Sequence, residues 1–154
     1  MRSGVRIGVD VGKARIGVAR SDFHGMLAMP VETVPRGAGD VARILAHAAE
    51  FAASEIVVGL PIALSGADTA STADAREFGA LLAATGLPVR FVDERLSTVS
   101  AQGALRSAGR TVKNSRSIID QVAAVIILQH ALDSERAGGT PPGTLVHPAG
   151  GSDS

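Results

Sequence analysis

Short apolar runs at the start of the chain predict three β-strands. The runs cover Val5 to Val11, Arg15 to Ser21 and Leu27 to Val34, and short turns containing Gly12 and Gly25 separate them. Connections of this length join antiparallel neighbours, because parallel strands need a longer crossover. The first part of the chain is therefore predicted to be an antiparallel meander.

Helical and strand patterns then alternate. Apolar residues recur at helical spacing from Ala38 to Ala53, and Glu55 to Leu60 is a short Val/Ile run typical of a buried parallel strand. After a loop, a second helix is predicted from about Thr69 to Thr85 and a strand from Val89 to Asp93. Combined with the meander, this order predicts an α/β fold with a mixed five-stranded sheet and helices on its faces.

Two further helices and a tail are predicted after the fifth strand. One helix should run from Ser97 to about Ala108, and a basic loop should lead to a long helix from Ser117 to about Arg136. The tail from Gly138 is rich in Gly, Pro and Ser, a composition typical of disordered chain. We therefore expect one domain over residues 1–137 and a disordered tail over residues 138–154.

The composition limits the kind of metal site and the class of protein that the chain can represent. A hydrophobic fraction of 45% against 19% charged residues favours a folded globule over a disordered chain. No cysteine is present, so a bound metal must be held by carboxylates, histidines or carbonyls, which favours Mg²⁺ or Mn²⁺. No apolar run approaches the roughly 18 residues of a membrane span, and no signal segment is recognisable. We expect a cytoplasmic protein with no membrane partner.

The charge is balanced overall but unevenly placed. A net charge of zero argues against nucleic-acid binding that is dominated by overall electrostatic attraction. Residues 90–116 are nevertheless basic, with Arg90, Arg95, Arg106, Arg110, Lys113 and Arg116. From charge alone, this segment could be a nucleic-acid-binding face or an ordinary solvated surface.

Acidic residues stand at two strand positions where chemistry is expected. Asp10 lies in an otherwise apolar strand, where a buried carboxylate is costly without a partner, although it could simply shape the turn at Gly12. Asp93 and Glu94 stand at the carboxyl end of the fifth strand, at the sheet edge where ligands collect. Because side chains alternate along a strand, only one of these two can readily face the same site as Asp10. A plain surface pair of Asp93 with Arg95 is the alternative.

Asp120 supplies a third acid from the last helix. That helix is apolar almost all round and is therefore expected to be buried, although Asp120 could instead only cap its start together with Ser117. Acids from a first strand, a later strand and a last helix can converge on one or two divalent ions, which offset the repulsion among carboxylates. Such ions could activate water for phosphodiester cleavage, with Arg95 or Lys113 near the phosphate.

Several motifs, taken in order, resemble the YqgF/RuvX family over about residues 5–133. They are Gly8-Val9-Asp10-Val11-Gly12, Val57-Val58-Gly59-Leu60-Pro61, Asp93-Glu94-Arg95-Leu96-Ser97-Thr98 and Ile119-Asp120-Gln121-Val122-Ala123-Ala124. The resemblance implies a ribonuclease-H-like fold related to Holliday-junction resolvases. It also carries the catalytic, metal-binding acids onto Asp10, Glu94 and Asp120, and so prefers Glu94 to Asp93.

The resemblance also implies a substrate and a binding surface. Family members are described as Holliday-junction resolvases and as nucleases that mature the 5′ end of pre-16S rRNA, so the expected partner is precursor rRNA or branched DNA. A resolvase that cuts two symmetric strands should be a homodimer, whereas an rRNA nuclease need not be. Gly12 and Asp93 are expected to support the site. The residues expected to bind nucleic acid are Lys13, Arg15, Arg95, Arg110, Lys113 and Arg116.

One departure from the family pattern lies beside the first acid. The family commonly has Lys-Arg-Ile-Gly where this chain has Ala14-Arg15-Ile16-Gly17, with the lysine one place earlier at Lys13. A phosphate contact is therefore expected to have moved along the turn.

Two other classes of function remain open on the residues alone. Actin-like ATPases and sugar kinases begin with a strand and turn similar to Asp10-Val11-Gly12, but they pair two such domains, whereas 154 residues supply one. The other class is a non-catalytic RNA-binding module that uses the basic segment 90–116.

Overall fold

The computed structural model describes residues 2–94 and 116–147, with side chains from residue 119 onward in the second range. Six strands form one sheet: β1 (Arg6–Val11), β2 (Arg15–Ser21), β3 (Ala28–Pro35), β4 (Glu55–Leu60), β5 (Val89–Asp93) and β6 (Thr144–Leu145). The helices within these ranges are α1 (Asp40–Glu50), α2 (Ala70–Ala83) and α3 (Arg116–Gly138).

The sheet has the strand order β3-β2-β1-β4-β5-β6. The first three strands pair antiparallel, which confirms the predicted meander. Strands β4 and β5 join the other side of β1 in parallel, so the carboxyl ends of β1, β4 and β5 meet at one edge of the sheet. The mixed α/β sheet flanked by helices is the fold class that the sequence predicts.

Each face of the sheet is covered by different helices. The face under α1 and α2 carries the larger apolar core, whose strand residues include Ile7, Val9, Val11, Ile16, Val18, Val34, Ile56, Val58, Leu60 and Val89. The other face lies under α3, which contributes Ala124, Ile127, Leu128, Ala131 and Leu132 against Ala19, Ala28, Val57 and Val92. Four of these nine residues are alanines, and Gly8, Gly17 and Gly59 also face α3, so the helix can lie close to the strands.

The helix ends follow local chemistry. Helix α1 is shorter than predicted, because Gly39 before it and Ala52 after it have positive φ and turn the chain away from helical geometry. Helix α2 begins with a capping box in which the side chains of Thr69 and Thr72 each accept the other's backbone N–H. The Thr72 hydroxyl also donates to the Pro61 carbonyl at 2.7 Å and so fixes the loop after β4.

The structure differs from the predicted disordered tail in residues 138–147. Gly138 still belongs to α3, and Thr144–Leu145 pair antiparallel with β5 as a sixth strand. The edge of β5 has unpaired backbone groups that a short extended segment can satisfy, even one of turn-like composition. The chain therefore closes the β5 edge with its own backbone.

A buried cluster of ion pairs joins the sheet to α3 at the opposite edge, where β1 and β4 begin. Arg6 and Glu55 lie side by side in register on β1 and β4 and are only 2% and 3% exposed. Arg2 forms ion pairs with Glu55 at 3.0 Å and with Glu135 of α3 at 2.9 Å, and Arg90 Nε donates to Glu55 at 2.9 Å. Arg90, the first residue of the predicted basic segment, therefore lies in this cluster instead of on a nucleic-acid-binding face.

Within the described ranges, none of the helices is both long enough and apolar enough to cross a bilayer.

Candidate active site

Asp10 lies on the face of the sheet that α3 covers. Ile7, Val9 and Val11 of β1 point into the core on the other face, so the alternation of a strand turns Gly8 and Asp10 toward α3. A Cβ on Gly8 would lie 2.7 Å from the Leu128 Cβ, which shows how closely the helix approaches. Asp10 is thereby placed beneath the first part of α3, near the carboxyl end of β1.

Gly17 brings Asp120 next to Asp10. In the β1–β2 pairing Gly17 lies directly opposite Asp10. A Cβ on Gly17 would lie only 2.0 Å from the Asp120 carbonyl oxygen, so the backbone of α3 rests on this glycine. The sequence shows the glycine and the acid separately, but their contact depends on how the helix crosses the strand.

Gly59 makes the equivalent space for Glu94. A Cβ on Gly59 would lie 2.9 Å from the Glu94 Cγ and 2.7 Å from the Ile127 Cδ1. Gly59 is one residue beyond Val58, which pairs with Val9, so this glycine stands beside Asp10 on the neighbouring strand. Glu94 therefore reaches the α3 side of the sheet.

The pKa values of Asp10 and Glu94 reflect how close the acids of the site lie to one another. Burial, and then the charge of Asp120, raise the pKa of Asp10 to about 6. Burial, and then the charges of Asp10 and Asp93, raise the pKa of Glu94 to about 7. The charges that raise these two pKa values all belong to other acids, so negative charge is concentrated where Asp10, Asp93, Glu94 and Asp120 come together.

Asp120 has a cationic partner from β2. Arg15 Nε donates to Asp120 Oδ2 at 2.9 Å, across 105 residues of sequence. Both side chains are partly exposed, at 33% for Arg15 and 24% for Asp120. Ser117 lies inside α3, and the Asp120 carboxylate bonds to another element, so Asp120 does more than cap a helix start.

The three acids share a region but do not form a ready-made metal site. Within residues 2–94 and 116–147, no group of three acidic, histidine or cysteine side chains has an arrangement that would hold a metal ion. The Asp120 carboxylate is instead bound by Arg15. Asp10 and Glu94 are coupled to each other, and Asp10 to Asp120, as the pKa shifts show.

The two residues expected to support the site have distinct positions. The Gly12 N–H donates to the Arg15 carbonyl at 2.9 Å, and a Cβ on Gly12 would lie 2.7 Å from that oxygen, so glycine allows the tight β1–β2 turn. Asp93 ends β5 opposite Leu60 and lines a cavity of about 310 Å³ with Phe91 and other residues. It also contributes to the raised pKa of Glu94.

The residues expected to bind nucleic acid are only partly covered by the structure. Lys13 is exposed at the tip of the β1–β2 turn, and Arg15 begins β2 and forms its ion pair with Asp120. Arg95, Arg110 and Lys113 lie outside the described residues, as does the side chain of Arg116.

Several residues that the sequence did not single out hold the site in shape. Arg36 donates to the Gly12 carbonyl at 2.8 Å and forms a two-bonded ion pair with Asp74, which ties the β1–β2 turn to α2. On the other face, Gln121 donates to Thr33 at 3.2 Å, and Gln129 Oε1 accepts the Ala28 N–H at 2.9 Å. Gln121 stands directly after Asp120, which is the one sequence signal that could have pointed to it.

Comparison with known proteins identifies the family. The family described as "RuvX: Holliday junction resolvase" matches residues 4–134. The chain belongs to the RuvX family. This match spans the meander, the parallel strands and most of α3, so all three acids lie within the region that the RuvX family shares.

Closely similar proteins carry a nuclease name. A "Putative pre-16S rRNA nuclease" of Clavibacter michiganensis subsp. michiganensis is 67% identical over 150 residues, covering 95% of this chain and 93% of that protein. Proteins of the same name from Leifsonia xyli subsp. xyli and Streptomyces coelicolor are 60% and 52% identical, covering 96% and 95% of this chain and 97% and 90% of theirs. The RuvX-family chain is accordingly a nuclease.

Solved structures show the same architecture. The chain matches T. thermophilus RuvC in complex with a Holliday junction substrate, with a TM-score of 0.59 and 19% identity, covering 90% of this chain and 99% of that one. A second Thermus thermophilus RuvC structure gives a TM-score of 0.57 at 18% identity over the same shares. The RuvX-family chain therefore has the ribonuclease-H-like fold of RuvC.

Proposed function

We propose that this nuclease is a metal-dependent endonuclease that hydrolyses phosphodiester bonds in structured nucleic acid, with Asp10, Glu94 and Asp120 as its catalytic, metal-binding residues. The observation that carries the proposal is the coupling of Asp10 and Glu94 on the α3 side of the sheet, where both pKa values are raised. Two partly buried acids that repel each other lower the stability of a fold, and such pairs are typical of ligand-binding sites.

The donor set fits a hard divalent cation. Carboxylate oxygens are the ligands that Mg²⁺ and Mn²⁺ prefer, and the chain has no cysteine that would favour a softer metal. Asp10 and Glu94 would hold one or two such ions, and Asp120 would join them once its carboxylate turns from Arg15. When bound, the ions would supply Lewis-acid polarisation of the phosphate and a more acidic attacking water.

The described side chains suggest how a phosphodiester would be held. Lys13 is exposed at the turn that follows β1, two residues after Val11, and it would contact a phosphate as a point charge. Arg15 adds a planar guanidinium nearer the acids, and Arg95, Arg110, Lys113 and Arg116 would extend the basic surface. Gly12 and Asp93 would support the turn and the charge of the site.

Precursor 16S rRNA, cleaved at its 5′ end, is the favoured substrate. Relatives at 52% to 67% identity over nearly the whole chain carry that nuclease name, and likeness at this level commonly preserves the substrate class. Action on precursor rRNA would place the protein in the cytoplasm.

A junction resolvase is the second candidate. The family description names Holliday junction resolution, and the RuvC structure that matches this chain contains a junction. A resolvase must cut two symmetric strands and would work as a homodimer, whereas an rRNA nuclease can act as a monomer.

Side-by-side cleavage tests both candidates. The purified full chain is incubated with a 5′-extended 16S rRNA precursor and, separately, with a four-way DNA junction, in Mg²⁺, Mn²⁺ or excess chelator. We expect metal-dependent cleavage of the precursor, reduced about 100-fold or more in Asp10→Asn and Glu94→Gln, since each 1.4 kcal/mol of lost transition-state stabilisation is tenfold.

The exposed residue Glu77 provides the matched control, because Glu77→Gln removes one acid far from the site and should cleave like the unmodified chain. Full activity in Asp10→Asn, or cleavage that persists in chelator, would refute the metal-site assignment. Faster cleavage of the junction, with a dimer in analytical ultracentrifugation, would favour the resolvase.

A further inference from the structure

We propose that Arg15 acts as a built-in counter-cation for Asp120, which a divalent ion displaces, and that the freed guanidinium then binds the substrate phosphate. The inference rests on the proposed function, because it assumes that Asp120 becomes a metal ligand. Its basis is the contact of 2.9 Å between Arg15 Nε and Asp120 Oδ2, together with the position of Asp10 opposite Gly17, on which the backbone of Asp120 rests.

The strand geometry makes this contact possible. Arg15 and Gly17 are two positions apart on β2, so they point to the same face of the sheet. Gly17 carries the backbone of Asp120, while Arg15 reaches its carboxylate from one side. Asp10, opposite Gly17, approaches from the other side. Asp120 is therefore positioned between a cation and an acid, and its carboxylate can serve either the arginine or a metal shared with Asp10.

The charges of the site differ between the three acids. Negative neighbours raise the pKa of both Asp10 and Glu94, whereas the carboxylate of Asp120 forms an ion pair with Arg15. A divalent ion bound at Asp10 and Glu94 would bring two positive charges next to Asp120. Arg15 would then be repelled by the ion, and its bond to Asp120 would be replaced by a shorter and stronger one.

The released side chain would be well suited to a phosphate. A guanidinium presents paired donors that match phosphate oxygens, and Arg15 is already one-third exposed at the mouth of the site. Arg36, which follows β3 and contacts this turn, is bound to Asp74 and the Gly12 carbonyl and cannot take that role without breaking both contacts. Metal binding and substrate binding would thus be coupled through one side chain.

A purely structural role for Arg15 predicts different behaviour. If the ion pair only fastened α3 to β2, its loss would loosen the helix, misplace Asp120 and weaken metal binding. If Arg15 competes with the metal, its loss would free Asp120 and strengthen metal binding. The sign of the change in metal affinity therefore distinguishes the two roles.

The first test measures Mn²⁺ binding to the full chain by isothermal titration calorimetry, without nucleic acid. Arg15→Gln should bind Mn²⁺ about two- to fivefold more tightly than the unmodified chain, the size expected for losing a partly exposed ion pair. Arg15→Lys keeps the positive charge and should stay close to the unmodified value. Arg43→Gln also removes one arginine, from an exposed pair with Glu32 on the other face, and should leave the affinity unchanged.

The second test measures binding of the precursor rRNA with Ca²⁺ in place of Mg²⁺, to slow cleavage. In chelator, Arg15→Gln and the unmodified chain should bind equally, because Arg15 is then held by Asp120. With Ca²⁺ the unmodified chain should bind at least threefold more tightly than Arg15→Gln. Weaker Mn²⁺ binding in Arg15→Gln, or a Ca²⁺-independent loss of RNA binding, would overturn the switch. If the unmodified chain does not bind Mn²⁺, the proposed metal site itself fails, and this inference fails with it.

Discussion

Gly17 and Asp120 are in direct backbone contact: a Cβ on Gly17 would overlap the Asp120 carbonyl oxygen, at 2.0 Å. Real Cβ atoms do not approach an oxygen this closely, so the position of α3 over β2 depends on a residue without a side chain. Because Asp10 lies opposite Gly17, the same contact sets the spacing between two of the three acids.

Gly17→Ala should therefore damage activity more than a typical buried substitution. The methyl group must push α3 away from β2, which separates Asp120 from Asp10 and breaks part of the small-residue packing under the helix. We expect a loss of about 1–3 kcal/mol in the free energy of unfolding, the usual cost of overpacking, and at least a tenfold loss of cleavage rate. Chemical denaturation and a cleavage assay give the two numbers.

Gly138→Ala is the matched control for that substitution. Its nearest atom is the Thr140 Oγ1 at 3.9 Å, which is an ordinary contact, and the residue ends α3. It should be neutral or stabilise by up to about 1 kcal/mol, since alanine favours helix over glycine. Equal behaviour of the two variants would mean that the close approach at Gly17 is not needed.

The raised pKa values of Asp10 and Glu94 predict how the metal-free protein responds to pH. The pKa of Asp10 is about 6 against an ordinary 3.8, and that of Glu94 about 7 against 4.5, so the folded state binds more protons than the unfolded state in this window. The free energy of unfolding must therefore fall as the pH rises from about 4 to about 7. Thermal unfolding in chelator from pH 4.5 to pH 8 measures this fall.

Asp10→Asn should remove the part of this pH-dependent fall in the free energy of unfolding that comes from Asp10. At about 1.4 kcal/mol per pK unit, the variant should exceed the unmodified chain by on the order of 2–3 kcal/mol at pH 8 in chelator and match it near pH 4. Added Mn²⁺ should reverse the order, because only the unmodified chain gains the full set of ligands. Asp68→Asn is the control, since Arg76 lowers the pKa of this exposed acid and the loss of its charge should not stabilise the protein. An Asp10→Asn protein no more stable at pH 8 would contradict the account.

The sequence predicts those parts of the fold that are controlled by local apolar patterns. The bounds of β4 and β5 agree with prediction because each strand is a short apolar run between turn residues. Asp10 and Asp120 could be singled out for the same reason, since each acid interrupts an apolar element. The choice of Glu94 over Asp93 followed from alternation along the strand together with the family resemblance.

Contacts between distant charges could not be predicted in this way. Periodicity tells which face of β2 Arg15 occupies, but not that the crossing of α3 brings Asp120 to it, 105 residues later. Arg6 and Glu55 stand at strand starts, where charged residues are usually exposed, yet both are buried. Their burial depends on Glu135, a residue of the last helix that has no local signal.

The buried ion cluster should make Glu135 important for stability. Glu135 is 3% exposed and accepts bonds from Arg2 and Arg6, and its hydrogen bonds with Arg2 lower its pKa to about 2. Glu135→Gln leaves Arg6 buried without a charged partner, so we expect a loss of about 3–5 kcal/mol in the free energy of unfolding at pH 7.

That loss should depend on pH in a known direction. A lowered pKa means that the stabilising charge is fully present above about pH 4.5 and is lost as the pH falls toward 2. The difference between Glu135→Gln and the unmodified chain should therefore shrink on acidification, as followed by denaturant unfolding at several pH values. Glu77→Gln, at an exposed position of α2, should show no such difference at any pH. A constant difference would mean that the cluster contributes through packing and not through charge.

The pairing of strand β6 with β5 should depend on the absence of a side chain at Gly143. This residue has a φ of +65°, and a Cβ there would lie 1.9 Å from the Phe91 carbonyl oxygen, so Gly143→Ala must move the segment away from β5. The Val146 N–H, which donates to the Val89 carbonyl at 2.8 Å, should then exchange with solvent at least tenfold faster in hydrogen-exchange measurements. Gly139→Ala is the matched control, because its φ of +74° carries the same backbone strain but no atom lies within 4 Å of the added Cβ. Slower exchange at Val146 in Gly143→Ala than in Gly139→Ala would show that the close approach to Phe91 is not what fixes β6.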